Sequence, residues 1–296
     1  MAEPGRIVCF GDLIDDVLAI PLGAIRDDTD TPSSIRFTPG GSAANTASWL
    51  GWLGAPVDFV GAVAAWDRPR HEAVFAAAGV TAHLATRGAL PTGTIVVIVE
   101  GDRRHMLTER GANAVLQPAA VTDDLLADAV VLHVTGHTLL NDAGAAGIAG
   151  LIRRAHDAGV TVSVAPGSAG FIADYGRDAF LAAMGGADIL FPSLDEGRLL
   201  TGLQEPGAIA SALAESFPTV VLTLGKDGLV IAHDGTLDAV AAVLAPVVDP
   251  TGAGDAFCAG YLAEWVRSRD PKAAGIAGAL VASRAVGVIG GRPQQP

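Results

Sequence analysis

Cysteine is nearly absent from this 296-residue chain, which carries only Cys9 and Cys258. Two thiols so far apart exclude a disulfide framework and a thiolate metal centre, and leave them as small buried packing residues. Basic charge is scarce as well. Lys and Arg number 19 against 32 Asp and Glu, for a net charge of −13, which excludes a nucleic-acid backbone as partner because tracking phosphates needs a basic surface. Long apolar runs are missing too. No stretch reaches the roughly 18 uninterrupted apolar residues of a membrane span, since Arg284 breaks the longest candidate. The opening MAEPGRIVCF has no basic region followed by a long apolar one, so no secretory signal and a cytoplasmic location are expected. Aromatic residues make up only 5% of the chain. What is plentiful is apolar and small, and half of the chain is hydrophobic, ample for a buried core.

Apolar, β-branched runs recur at 6–10, 57–60, 95–99, 130–134, 160–164, 189–191 and 219–224 and read as buried strands. Between most of them lie alanine-rich segments of helical length, at 43–53, 142–158, 179–184 and 208–217. Alternating strand and helix predicts an α/β fold with a mostly parallel sheet. Two stretches break the rhythm, around 12–40 and 90–111, where short strand-like pieces (34–37, 94–100 and 105–108) stand with no helix between them. Both are assigned to one small β-rich lid, leaving 1–11, 41–89 and 112–296 as the core. From Gly252 onward the chain turns helical, with candidates at 256–267 and 273–286 separated by Asp270 and Pro271. The tail GGRPQQP is expected to be a frayed end.

The segment richest in chemistry is VVDPTGAGDAFCAGYL, residues 247–262, where a strand-like end meets a glycine-rich turn that opens into a helix. Gly252 and Gly254 allow close backbone approach, and the free N–H groups of a helix's first turn, aided by its dipole, attract an anion such as phosphate. Asp255 is out of place beside a phosphate unless it has another task. Accepting a proton from an attacking hydroxyl is one such task; capping the helix is the plainer alternative. The glycines do not form a dinucleotide fingerprint, because GAGDAF ends in Phe257 and lies near the end of the chain. Nor is there a Walker loop, since Gly225, Lys226 and Asp227 lack both the upstream glycine and the hydroxyl. In PGGSAANTASWLGWLG, residues 39–54, a glycine pair offers a hinge ahead of a helix whose first turns carry Ser42 and Asn45. Asn45 can donate to and accept from a hydroxyl, or simply face solvent. In GDLIDD, Asp12, Asp15 and Asp16 sit at the carboxyl edge of the sheet, where ligands of open α/β sheets bind. A carboxylate there suits a polyol, and a solvated loop acid is the alternative.

With these motifs in this order the chain resembles the PfkB, or ribokinase-like, carbohydrate kinases over essentially its whole length. GGSAANTA at 40–47 is similar to the family's N-terminal signature and DPTGAGDAF at 249–257 to its C-terminal one. TGTIVVIV followed by RGANAVL resembles the lid strands and the return to the core, FPSLDEGRLLTG the NxxE segment, and TLGKDG the nucleotide loop. The resemblance implies a three-layer α/β/α core with a mostly parallel sheet and a small β-rich lid. It implies Asp255 as catalytic base, with Gly252, Ala253 and Gly254 as the anion hole. Asp16, Gly40, Gly41 and Asn45 would hold substrate hydroxyls. Ser193, Glu196, Thr223, Gly225 and Gly228 would line the ATP site, with Glu196 organising water around Mg²⁺, and Asp249 and Thr251 would contribute to a K⁺ site. It also implies a homodimer paired through the lid, which an unpaired strand edge would favour.

Three departures from the family pattern stand out. Ser193 occupies the place of the NxxE asparagine, Ala165 that of an aspartate found before the proline in many relatives, and Pro250 that of a common threonine. The expected activity is ATP-dependent phosphorylation of a hydroxyl on a small sugar or sugar-like substrate. A nucleoside kinase on the same scaffold is the nearest rival, disfavoured because the lid regions offer a nucleobase only Phe37 to stack on. A catalytically silent sugar- or nucleotide-binding regulator is the rival of another class, and would be expected to have lost the base or the glycine turn.

Overall fold

The computed structural model describes residues 5–100 and 103–294. The chain opens with β1 (Arg6–Phe10), β2 (Ile14–Pro21) and β3 (Ser33–Gly40), then α1 (Ser42–Trp52), β4 (Val57–Ala62), α2 (Arg68–Ala77) and β5 (Thr81–Ala85). Strands β6 (Gly93–Glu100) and β7 (Arg103–Glu109) follow, then α3 (Asp123–Ala127), β8 (Ala129–Thr135), α4 (Gly144–Asp157) and β9 (Thr161–Ala165). Next come α5 (Ala169–Tyr175), α6 (Arg177–Met184), β10 (Ile189–Leu190), α7 (Leu194–Thr201) and α8 (Pro206–Leu213). The chain closes with β11 (Thr219–Thr223), β12 (Leu229–His233), β13 (Thr236–Val240), α9 (Ala253–Ser268) and α10 (Pro271–Ala285).

Nine strands form the main sheet in the order β13-β12-β11-β10-β9-β8-β1-β4-β5. The strands from β5 to β11 pair in parallel, and β12 and β13 add an antiparallel edge. Period-two alternation sends the strand residues to two cores, one on each face. In β1, Val8 and Phe10 join Leu151, Phe180 and Ile209 from α4, α6 and α8, while Ile7 and Cys9 join Leu50, Phe75, Tyr261 and Ala274 from α1, α2, α9 and α10. These are the three layers expected. The two cysteines are free and buried, as expected. Among the described residues no helix is long and apolar enough to cross a membrane.

The second sheet runs β3-β2-β6-β7 and forms the lid. Its strands lie inside the two stretches that broke the strand–helix rhythm. Strand order reverses beside β1, whose neighbours are β4 on one side and β8 on the other. The crevice beyond the carboxyl ends of β1 and β8 is therefore the switch point where such sheets take ligands. Gly11, just past β1, closes against it: a Cβ there would press on Thr135 Oγ1 at 2.6 Å.

Several elements escaped the sequence pattern for local reasons. Helix α2 starts RPRH, a polar turn in which Pro69 occupies the first positions without needing an N–H. Strands β5 and β13 are exposed on one face and lack a continuous apolar run. The tail is a correction. Gly290 to Arg292 are not frayed: Arg292 is only 8% exposed, and Gly291 accepts a hydrogen bond from the Trp49 indole at 3.0 Å. One glycine–indole contact and one buried arginine are invisible to a reading based on composition. Gln295 and Pro296 lie outside the described residues.

Candidate active site

Helix α9 supplies the floor of the site. Gly252 is its N-cap with φ 75°, and no side chain caps its first turn. The left-handed backbone suits glycine alone at low cost, and a Cβ at Gly252 would collide with the Gly291 backbone. At Gly254 a Cβ would meet nothing within 4 Å, so the turn opens onto free space there and no side chain takes its first N–H groups, although the Ala253 N–H donates to the Pro250 carbonyl at 3.3 Å. That is the geometry of an anion cradle at the start of a 16-residue helix.

Asp255 stands one residue further, between α9 and α1. Ser42 donates its hydroxyl to one carboxylate oxygen at 2.6 Å, and the Asn45 amide donates to the other at 2.9 Å. Asp255 is therefore not the cap of its own helix, because both oxygens face α1. Burial pushes its pKa up to about 6 against the pull of Ser42, Asn45 and Arg292. Ser42 and Asn45 are three residues apart and so share one face of α1. Asn45 is 5% exposed, and its carbonyl oxygen accepts from the Arg292 Nε–H at 3.3 Å. With a cation on one side and a carboxylate on the other, only one amide orientation satisfies both neighbours.

The glycine pair lies where lid meets core. Gly40 ends β3 and Gly41 caps α1 with φ 92°. A Cβ on Gly40 would overlap the Asp16 carboxylate, and one on Gly41 would strike the Asp12 carbonyl. The three acids of GDLIDD have separate fates. Asp12 is held by both terminal nitrogens of Arg110 at 3.1 Å each. Asp15 is held by Arg70 at 2.7 and 3.0 Å. Asp16, the acid expected at the substrate, makes no side-chain hydrogen bond among the described residues. Burial raises its pKa to about 6, with Arg292 opposing and Asp15 and Asp255 adding to the rise.

The expected nucleotide positions gather at the carboxyl end of β11. Ser193 and Glu196 form a capping box at the start of α7: Glu196 accepts the Ser193 N–H at 2.7 Å, and the Glu196 N–H donates to the Ser193 hydroxyl at 3.4 Å. The serine in the NxxE position thus has a local structural task. Burial raises the Glu196 pKa. Thr223 bridges to Ser193, and Gly225 and Gly228 take φ 61° and 93° in the loop that follows. Glu196 and Asp255 both lie near enough to the Cys258 thiol to add to the upward push of burial. Asp249 accepts from the Thr251 N–H and the Gly290 N–H, each at 3.0 Å, while Val248 and Asp249 donate backbone N–H groups to the Val286 carbonyl. This ties the loop before α9 to the segment after α10. Sequence reasoning did not identify Ser42 as a partner of Asp255, and it missed Arg292 and the Arg110–Asp12 pair. Only Ser42 left a usable signal, its spacing from Asn45.

Comparison with known proteins identifies the family. The model of the pfkB family carbohydrate kinases matches residues 5–296. The probable fructokinase-6, chloroplastic, of Arabidopsis thaliana is 26% identical over 280 residues, covering 88% of this chain and 70% of that protein. The crystal structure of a probable sugar kinase from Rhizobium etli CFN 42 superposes with a TM-score of 0.87 at 26% identity, over 99% of this chain and 96% of that one. Adenosine kinase from Sinorhizobium meliloti gives 0.86 at 27% identity, over 98% and 96%.

Proposed function

Because the chain belongs to the pfkB family of carbohydrate kinases, we propose that it transfers the terminal phosphoryl group of ATP to a hydroxyl of a sugar or sugar-like acceptor, with Asp255 as base. The observation that carries this reading is the Asp255 carboxylate, fixed by Ser42 and Asn45 next to an uncapped helix N-terminus that faces open space. Phosphoryl transfer asks mainly for alignment and for neutralisation of charge, and only late for a proton acceptor. The N–H groups of Gly252 and Gly254 meet the charge on the transferring group, and that of Ala253 joins them by leaving its 3.3 Å bond to the Pro250 carbonyl. Asp16, with no partner of its own, accepts from acceptor hydroxyls beside the Gly40–Gly41 hinge, and Asp255 takes the proton of the attacking one.

Thr223, Gly225 and Gly228 line the nucleotide. Mg²⁺ would arrive hydrated and carried on the substrate phosphates rather than caged by protein. Such an ion neutralises phosphate oxygens, and Glu196 would orient its waters. Main-chain carbonyls at Asp249 and Thr251 would hold a K⁺, in a loop already anchored by Val286 and Gly290. The lid sets Phe37, Val17, Val96 and Leu107 in register across all four strands. Phe37 and Leu107 are 77% and 60% exposed, an apolar row that a second copy would cover in a homodimer.

A sugar is favoured over a nucleoside because Phe37 pairs with Val17 and so lies on the face of the lid opposite to Asp16. A base whose ribose sits at Asp16 cannot stack on it. The likeness to an adenosine kinase supports the nucleoside as second reading. The test is ADP release from MgATP, with and without potassium, over ribose, fructose, other hexoses, 2-keto-3-deoxygluconate, adenosine and other nucleosides, with Asp255→Asn as blank. Turnover on a sugar that vanishes in the variant is expected; turnover on nucleosides alone selects the second reading, and silence on every acceptor overturns both.

A further inference from the structure

Arg292 comes from the far end of the chain and is buried against the site. Its Nε–H donates to the Asn45 carbonyl oxygen at 3.3 Å, and Nη2 donates to the Gly40 carbonyl at 2.9 Å. The guanidinium carbon lies 4.9 Å from the centre of the Phe75 ring. Nη1 is buried with no hydrogen-bond partner, and the two carboxylates nearest the acceptor position, Asp16 and Asp255, both act on the charge. Here the fork spans the hinge glycine of the lid and the amide that holds Asp255. Gly291, its neighbour, packs against both Asn45 and Gly252. One segment therefore touches the hinge, the partner of the base and the anion turn.

We propose that Arg292 is the positioning residue of this active site: it orients Asn45, and through Asn45 the Asp255 carboxylate. Its positive charge also favours the ionised forms of Asp255 and Asp16. The inference rests on Asp255 being the base. Because Asn45 receives on one end and donates on the other, removing Arg292 frees its amide to rotate and leaves one oxygen of Asp255 without a fixed donor. Asp15 and Asp16 come from β2, Asp255 and Cys258 from α9, Glu196 from α7, and Arg292 from the terminal segment, while Arg70 and His71 of α2 face Asp15. Arg292 is the cation that acts on both Asp16 and Asp255. A lysine in its place preserves the charge but not the planar fork, so the two effects separate.

The test has two arms. In the first, carboxyl-carbon NMR titration follows Asp255 in the wild type and in Arg292→Gln, and needs no acceptor. The Asp255 midpoint is expected to rise by about one pH unit in Arg292→Gln and to return most of the way in Arg292→Lys. An unchanged or lowered midpoint overturns the proposal. In the second arm, kcat is measured for Arg292→Gln, Asn45→Ala and the double variant, with melting curves recorded for each. Arg292→Gln is expected to lose about 10- to 100-fold in kcat, as misplaced catalytic groups do, but less than about 2-fold when Asn45 is already alanine. Fully additive losses, or a loss in proportion to the drop in melting temperature alone, would overturn it. If Arg292→Gln does not fold, Arg292→Lys takes its place, with kcat depressed and the Asp255 midpoint near that of the wild type. A wild type silent on all acceptors refutes the kinase reading, while the titration still decides the role of Arg292.

Discussion

At the scale of single residues, two carboxylates with raised pKa values set the behaviour of the site. Burial raises the pKa of both Asp255 and Asp16 to about 6, and the proposed reaction needs both ionised. Activity is expected to fall below about pH 6 with a slope steeper than a single proton, measured as kcat/KM against pH. Replacing Asp255 by Asn should cost on the order of 10²-fold or more in kcat with KM nearly unchanged; a near wild-type kcat would remove Asp255 from the base role. The same shift carries a stability consequence. A carboxyl whose folded pKa lies above its unfolded value near 4 binds more protons when folded. Stability therefore falls as pH rises from about 4 to 6 and stays lower above. Asp255→Asn removes its share, so the loss of melting temperature between pH 4 and pH 7 should be smaller in the variant than in the wild type. Asp255 was legible as a base candidate in the sequence because a carboxylate beside a phosphate-binding turn needs a reason. Its partner Arg292 was not, since nothing in GGRP distinguishes a buried arginine from a solvated one.

At the scale of elements, the start of α9 makes a contrast between two glycines testable. Gly252 has φ 75° and its missing Cβ leaves room for the Gly291 backbone, so Gly252→Ala strains both segments. It should lower the melting temperature and kcat together. Gly254 faces open space, so Gly254→Ala should fold like the wild type and raise KM for ATP by crowding the anion cradle. Equal melting temperatures for the two variants would contradict the geometry of the turn. Helix α7 provides a second case. Ser193→Ala removes one half of its capping box and should cost about 1 kcal/mol in denaturant unfolding, a cost that exists whether or not nucleotide binds. The sequence revealed the elements that carry continuous apolar runs, such as β1, β8, β9 and β11. It concealed α2, β5 and β13, whose patterns are half polar because one side faces water, and local pattern reading has no access to which side is covered.

At the scale of the molecule, the last segment holds residues between 41 and 252 positions away. The Trp49 indole donates to Gly291, Arg292 reaches Gly40 and Asn45, and Gly290 donates to Asp249. Truncation after Ile289 should therefore cost at least about 1–3 kcal/mol through the buried indole N–H alone. It should also shift tryptophan fluorescence and abolish turnover. Unchanged unfolding after truncation would restore the expectation of a frayed tail. Light scattering at micromolar concentration tests pairing through the lid, with a dimer expected from the exposed row at Phe37 and Leu107. By itself the sequence determined the α/β class, the separate lid, the family and the positions of the residues proposed as base and glycine turn. Those properties are written in short-range order: period-two and helical patterns, turn glycines, and motifs whose residues are adjacent along the chain. Only the tertiary structure decided that Asp12 and Asp15 are occupied by Arg110 and Arg70 while Asp16 makes no side-chain hydrogen bond among the described residues, that Ser42 and Asn45 clasp Asp255, and that the last segment packs against them. Each of these depends on which distant side chains meet once two sheets and three layers are packed, and on burial setting which charges must find a partner.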